Sequence, residues 1–302
     1  MSAPELQPPK LSVIIACYMD GPAIPHMYER LTRTFADLPV IPEIIFVNDA
    51  SPDGSEEILH ELARRDPRVV TINHTRNFGS QAAFTSGMKL CSGDIVVLMD
   101  GDLQDPPELI PALFEKWREG YEVVYGVRMK REASRFLQLA YKLFYRVFHA
   151  LSYVDVPHDA GDFSLMDRKV VDAINAMEER DRFLRGLRAW VGFRQTGVAY
   201  VRPERMFGVT TNSLRKNFAW ARKGIFSFSF VPLEIIFYLA LGMAGVAALL
   251  LIAYVGLYFL IPRAPSGFMT LLTLVLAIGA IQLFCLAVIG DYVARVLEEV
   301  KQ

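Results

Sequence analysis

The 302-residue chain is predicted to fold as an α/β domain built on a mostly parallel sheet, followed by two membrane-spanning helices. Two observations carry the first half of that reading. Short apolar runs alternate with amphipathic stretches long enough for helices, which is the pattern of βαβ units. Polar and acidic residues gather directly after those runs, at the strand ends where open α/β sheets bind ligands. The second half rests on two late segments, residues 235–260 and 268–289, that carry no charge over 26 and 22 residues. About 20 residues suffice to cross a bilayer core.

In chain order, residues 1–10 are polar and proline-rich and read as a disordered tail without signal-peptide character. Residues 11–16, 44–47, 69–72, 95–99 and 123–127 are apolar and bracketed by turn formers, as buried strands are. Helical patterns fill the intervals at residues 25–38, 55–65, 81–91 and 106–119. Ser51-Pro52-Asp53-Gly54-Ser55 is a turn leading into a helix start. Two further stretches, about residues 133–151 and 213–228, place apolar side chains on one side of a helix with basic ones beside them. Such helices lie on a membrane surface or pack on a sheet, and for the second the nearness of residue 235 favours the membrane. The domain boundary falls near Val231, with a globular part over residues 11–230 and a membrane part over 231–302.

Hydrophobic residues make up 52% of the chain, with the excess concentrated near its end. Basic residues crowd one side of the two spans: Arg215, Lys216, Arg222 and Lys223 precede the first, and Arg295 and Lys301 follow the second. The connecting segment 261–267 holds only Arg263, so the globular domain and both termini are expected to be cytoplasmic. Gln282, polar within the second span, offers a hydrogen bond between helices or serves as a packing residue. Cys17, Cys91 and Cys285 show no metal-ligand spacing and suit a reducing compartment. Net charge is −1, and no nucleic-acid partner is expected.

Asp100 and Asp102 stand two residues apart at the end of the run 95–99, a pattern suited to a divalent cation shared with a polyanionic ligand, or else to a solvated acidic turn. Asp105 precedes Pro106 at a helix start, with Glu108 three residues on, and this pair reads as capping. Gln104 stays with the chemistry. No GxGxxG or GxxxxGK[ST] motif follows any predicted strand, so dinucleotide and P-loop readings lose their main support.

Six segments together carry a resemblance: Ser12-Val13-Ile14-Ile15-Ala16-Cys17-Tyr18, Val47-Asn48-Asp49-Ala50-Ser51-Pro52-Asp53-Gly54, Arg76-Asn77-Phe78-Gly79, Met99-Asp100-Gly101-Asp102-Leu103-Gln104-Asp105-Pro106-Pro107-Glu108, Tyr125-Gly126-Val127-Arg128 and Ala160-Gly161-Asp162-Phe163-Ser164-Leu165-Met166. The chain resembles the polyprenyl-phosphate glycosyltransferases of glycosyltransferase family 2, inverting enzymes with a nucleotide-diphospho-sugar transferase fold of the GT-A type. Its nearest branch is the bactoprenol glucosyltransferases, relatives of dolichol-phosphate mannose synthase. The resemblance implies that Ala16, Tyr18, Asp20, Asp49 and Arg76 surround the nucleotide. It implies that Asp100 contacts the ribose or the metal, and that Asp100 and Gln104 also belong to the nucleotide-sugar site. It implies that Asp102, with Gln104 nearby, holds Mg²⁺ or Mn²⁺ at the diphosphate, and that Asp162, Asp102 and Arg128 carry catalysis. Asp162 then acts as a general base or as a positioning group. The sequence departs from the family pattern at Asn48, Ser80 and Thr211-Asn212.

The acceptor implied is a lipid phosphate, and Arg128, Arg131, Arg202 and Arg205 are the guanidinium groups placed to meet it. Arg131 and Arg202 suit lipid head groups equally well. The expected reaction moves glucose from UDP-glucose, or mannose or a modified arabinose, to undecaprenyl phosphate at the cytoplasmic face of a bacterial inner membrane. By the same resemblance the enzyme is a tetramer, and a separate flippase acts downstream. A processive polysaccharide synthase would carry a Gln-x-x-Arg-Trp run, which Arg188-Ala189-Trp190 does not match. A non-catalytic membrane scaffold of the same fold is the reading from a different class.

Overall fold

The computed structural model describes residues 7–129, 160–179, 182–203, 206, 231–260 and 267–300. Among them, one seven-stranded sheet forms from Lys10–Cys17 (β1), Ile41–Asn48 (β2), Val69–Asn73 (β3), Ile95–Asp100 (β4), Val123–Arg128 (β5), Ala160–Asp167 (β6) and Gln195–Tyr200 (β7). Their order is β3-β2-β1-β4-β6-β5-β7, and β6 alone runs antiparallel to its neighbours. The five strands expected from apolar runs are all present. β6 and β7 are additions that the runs did not announce, because Gly161, Asp162 and Ser164 interrupt one and Gln195, Thr196 and Gly197 the other.

Helices cover both faces of the sheet, and the central strands are therefore apolar throughout rather than alternating. Ile24–Ala36 (α1), Ser55–Arg65 (α2) and Ile110–Arg118 (α4) pack on the face that collects Leu11, Val13, Ile15, Phe46, Val97 and Met99. Ser80–Leu90 (α3), Arg168–Asn175 (α5) and Leu184–Trp190 (α6) lie on the other. A Cβ at Gly87 would run into the Ile14 side chain, so this glycine sets how closely α3 approaches β1. The core is built almost wholly from Val, Ile, Leu, Phe and Met at under 9% exposure, which makes this unit a stable platform for its loops.

Glu108 differs from its sequence reading. Its carboxylate takes two bonds from Arg30 of α1, at 2.8 and 2.5 Å, and no side chain caps the 3₁₀ turn at Pro107–Leu109. The residue therefore ties α4 to α1.

A second unit contains Val231–Leu260 (α7) and Phe268–Val300 (α8), both long and apolar enough to cross a membrane. Within them, Phe237, Leu241, Leu249, Ile252, Leu283 and Phe284 are all more than half exposed, an apolar surface suited to lipid rather than water. The second helix continues past the predicted end at residue 289, through Asp291 to Val300. The amphipathic stretches at about 133–151 and 213–228, together with Arg131 and Arg205, lie outside the described residues.

Candidate active site at the carboxyl edge of the sheet

Strands β3, β2, β1 and β4 are parallel neighbours, so their carboxyl ends share one edge. Backbone bonds lace those ends together: His74 N to Asn48 O at 2.9 Å, Asp49 N to Cys17 O at 3.0 Å and Gly101 N to Ala16 O at 2.9 Å. Met19, Ala50 and Leu103, one in each of three strand-end loops, adopt the left-handed region at φ 59°, 54° and 62°. Such a conformation costs a non-glycine residue about 1–2 kcal/mol and persists only where the surroundings impose it.

On the β1 and β2 side the predicted residues mostly build the loops. Asp49 is buried, and its two oxygens accept from Phe78 N at 2.9 Å and Gly79 N at 2.7 Å, with His74 Nδ1 at 2.7 Å from Oδ1. It thereby fixes the 74–79 loop, in which the Arg76 guanidinium lies 4.1 Å over the Phe78 ring. Asp20 Oδ2 accepts from Tyr18 N at 3.1 Å, and Tyr18, two residues after Ala16, is 40% exposed. Asp53 joins the two loops by accepting from Gly21 N at 2.8 Å.

The β4 side holds the charged centre. Gln104 N donates to Asp102 Oδ1 at 3.0 Å, and Gln104 Nε2 donates to Pro203 O at 3.2 Å, so the acidic loop is tied to the segment that follows β7. Arg202 Nη2 stands 3.9 Å from both Asp100 Oδ2 and Asp102 Oδ2. The sequence reads Arg202 as a phosphate binder or as a contact for lipid head groups, and β7 delivers it to the acid pair. Asp105 is likewise no cap: at 1% exposure it accepts from Tyr200 OH at 2.8 Å and Asp100 N at 3.3 Å, and Arg128 Nη2 is 3.9 Å away. Arg128 Nε donates to Tyr200 OH at 3.4 Å.

Strand direction explains this convergence. In the β4–β6 ladder Leu98 faces Ser164 and Val97 faces Leu165, so an antiparallel β6 brings its beginning, with Asp162, to the end of β4. β7 runs parallel to β5 with Tyr200 opposite Arg128, which delivers Tyr200 and Arg202 to the same edge. Four carboxylates, those of Asp100, Asp102, Asp105 and Asp162, thus meet the guanidinium groups of Arg128, Arg185, Arg188 and Arg202. Arg185 and Arg188 escaped the sequence reading. Their signal was a three-residue spacing that puts two cations on one face of a short helix.

Burial, followed by the nearby carboxylates of Asp105, Asp102 and Asp162, pushes the Asp100 carboxyl well above the usual range. Burial pushes the Asp105 carboxyl up as well, against Arg128 and Arg202. Among the described residues no group of three or more His, Cys, Asp or Glu could hold an ion unaided. Two hard carboxylates on one cation, with ligand phosphates completing the shell, is the donor set that Mg²⁺ or Mn²⁺ accepts.

An α/β domain of GT-A type with paired acids and guanidinium groups at the sheet edge is the architecture of sugar-nucleotide-dependent transferases. The chain belongs to the Glycosyl transferase family 2, whose family model matches residues 12–174. It is 41% identical over 291 residues to the uncharacterized glycosyltransferase YkcC of Bacillus subtilis (strain 168), covering 96% of this chain and 90% of that protein. It is 37% identical over 295 residues to the SfII prophage-derived bactoprenol glucosyl transferase of Shigella flexneri, covering 97% and 95%. The prophage bactoprenol glucosyl transferase homolog of Escherichia coli (strain K12) is also 37% identical, covering 97% and 96%.

Proposed function

We propose that the chain transfers one sugar, glucose from UDP-glucose in the first instance, to undecaprenyl or a similar polyprenyl phosphate at the cytoplasmic face of a bacterial inner membrane. The observation that carries this reading is the Asp100–Asp102 pair flanked by Arg128 and Arg202, in a chain that also bears two apolar helices. Near full-length similarity to bactoprenol glucosyl transferases supports the acceptor class and glucose. Basic residues before α7 and after the apolar stretch of α8 support cytoplasmic termini.

The electrostatic problem is to bring two polyanions together. A nucleoside diphosphate must leave while a phosphate monoester approaches, and each would repel the other. Asp100 and Asp102, with the amide oxygen of Gln104 nearby, would hold Mg²⁺ or Mn²⁺. When bound, such an ion supplies positive charge to the departing diphosphate. Arg128, held by Tyr200 and Asp105, and Arg202, held at the acid pair, offer planar donors that match phosphate oxygens. Tyr18 and the Arg76–Phe78 stack at the opposite rim are the surfaces for the nucleoside. A tetrameric assembly and a separate flippase complete the proposal.

The test is reconstitution. Purified full-length protein in nanodiscs, given undecaprenyl phosphate and a panel of nucleotide sugars with Mg²⁺ or Mn²⁺, should yield a polyprenyl phosphosugar whose mass identifies the sugar. A panel that gives no glycolipid, or one undiminished by EDTA, would refute the reaction or its metal respectively.

A further inference from the structure

Asp162 and Arg185 form the best-aligned opposite charges of the site. Arg185 Nε donates to Asp162 Oδ1 and Nη2 to Oδ2, each at 3.0 Å, a two-pronged fork that fixes both groups in one plane. The partners come from separately anchored elements. Asp162 opens β6, while the first turn of α6 is pinned by Leu184 N donating to Gln81 Oε1 at 2.8 Å. One turn further along α6, the buried Arg188 donates to Gly161 O at 3.3 Å and lies 5.3 Å over the Tyr125 ring. The Arg128 guanidinium rests against Gly161 from the other side: a Cβ there would be 3.0 Å from its Nη2. The fork therefore stands directly beside the arginine assigned to phosphate.

We propose that Arg185 is a positioning residue, which holds Asp162 in one orientation with both carboxylate oxygens engaged, so that Asp162 orients the phosphate-binding wall next to Arg128 and removes no proton. The inference rests on the transferase reading above. The step it describes balances without a base. An anionic oxygen of the phosphate monoester bonds to the anomeric carbon, the bond from that carbon to the diphosphate breaks, and the electron pair leaves on the nucleoside diphosphate. No proton moves, because a phosphate monoester with a second ionisation near about pH 6 is already largely dianionic at neutral pH. A carboxylate clamped by a guanidinium is a poor proton acceptor in any case. The groups facing Asp162 are Arg185 and Arg188 from α6, neutral Gln81 from α3 and Asp100 at the end of β4. Although burial alone would raise it, Arg185 and then Arg188 hold the Asp162 carboxyl below its ordinary range.

The experiment is a double-mutant cycle on the full chain in nanodiscs, using Asp162→Asn, Arg185→Met, Arg185→Lys and the double variant Asp162→Asn/Arg185→Met. Turnover is followed from pH 5.5 to 9, and nucleotide affinity by calorimetry reports on folding. We expect each of the first two variants to lose about a hundredfold in kcat, the double variant to lie within about threefold of the worse single, and Lys to recover about tenfold. The acid limb of the wild type should follow the lipid phosphate, and that of Arg185→Met should move up as Asp162 loses its partner. The proposal is overturned if Asp162→Asn costs a hundredfold more than Arg185→Met, as loss of a base would, or if the two losses multiply. Should the Met variant fail to bind nucleotide, Arg185→Lys and Arg185→Gln take its place in the cycle. A wild type that makes no glycolipid refutes the transferase reading, whereas a productive wild type with multiplying losses refutes only the role of the pair.

Discussion

Arg202 Nη2 lies 3.9 Å from Asp102 Oδ2 and the same distance from Asp100 Oδ2, so a side-chain cation sits where a divalent ion would have to bind. Its Nε is buried and, among the described residues, has no hydrogen-bond partner. Two cations cannot share the acid pair without mutual repulsion. Arg202→Met is therefore expected to tighten Mn²⁺ binding in the absence of nucleotide by about tenfold, the effect of removing one unit charge a few ångströms away in a partly screened site. Titration followed by electron paramagnetic resonance measures it, and unchanged affinity would contradict the competition.

Asp102 is 6% exposed and turns its Oδ1 to the Gln104 amide of its own loop. Asp102→Ala is expected to weaken Mn²⁺ binding sharply and to lower turnover at least about a hundredfold, since water can fill the vacated position but supplies none of the negative charge of the carboxylate. Nucleotide-sugar turnover with and without EDTA checks this; activity that survives in the variant argues against a metal at this position.

Tyr200 bridges opposite charges, donating to Asp105 Oδ1 at 2.8 Å and accepting from Arg128 Nε at 3.4 Å. Tyr200→Phe leaves a buried carboxylate short of a donor, a loss of about 1–3 kcal/mol. Thermal unfolding should show it as a lower Tm. The apparent KM for polyprenyl phosphate should rise more than that for the sugar nucleotide, because Arg128 loses the hydroxyl that holds it.

Gly161→Ala tests the same arginine from beneath. The new methyl group would meet Arg128 Nη2 at 3.0 Å and Cζ at 3.3 Å, the far end of a flexible side chain that can swing away without unfolding the strand. A normal Tm and unchanged UDP affinity, with turnover down about tenfold or more, are the expected results. Full activity would place the Arg128 guanidinium outside the reaction.

Glu43 gives a pH signature far from the site. Burial alone would raise its pKa, but hydrogen bonds from Ser12 and Ser92 and the Lys10 ammonium at 2.9 Å hold it at about 2. A depressed carboxyl stabilises the fold above its unfolded pKa of about 4.5, and this contribution is lost as pH falls from there toward about 2. Glu43→Gln should lower stability at pH 7 by about 1 kcal/mol, the shift being discounted for solvent screening, and show a shallower loss between pH 4.5 and 2. Thermal unfolding at pH 7 and pH 3.5 compares the two proteins.

How much of the site was legible in the residues depended on distance along the chain. Asp100, Asp102 and Gln104 lie within five positions, so their turn could be recognised from the strand that precedes it. Asp105 belongs to the same run yet was misread as a helix cap, because its partners Tyr200 and Arg128 come from β7 and β5. Glu108 was misread for the same reason, its partner Arg30 being on α1. Arg185 lay unnoticed because nothing near it in sequence hinted at Asp162, 23 residues away.

The sequence by itself determined the alternation of β1 to β5 with their helices, the acidic turn after β4 and the two apolar helices, since each follows from periodicity, turn chemistry or uncharged length within a single segment. Only the tertiary structure decided that β6 enters between β4 and β5 in the opposite direction and that β7 ends beside Arg128. Strand pairing joins residues far apart in the chain, and its register is chosen by the fit of whole surfaces. For that reason the meeting of Asp162 with Arg185, and of Arg202 with Asp100 and Asp102, is a property of the sheet.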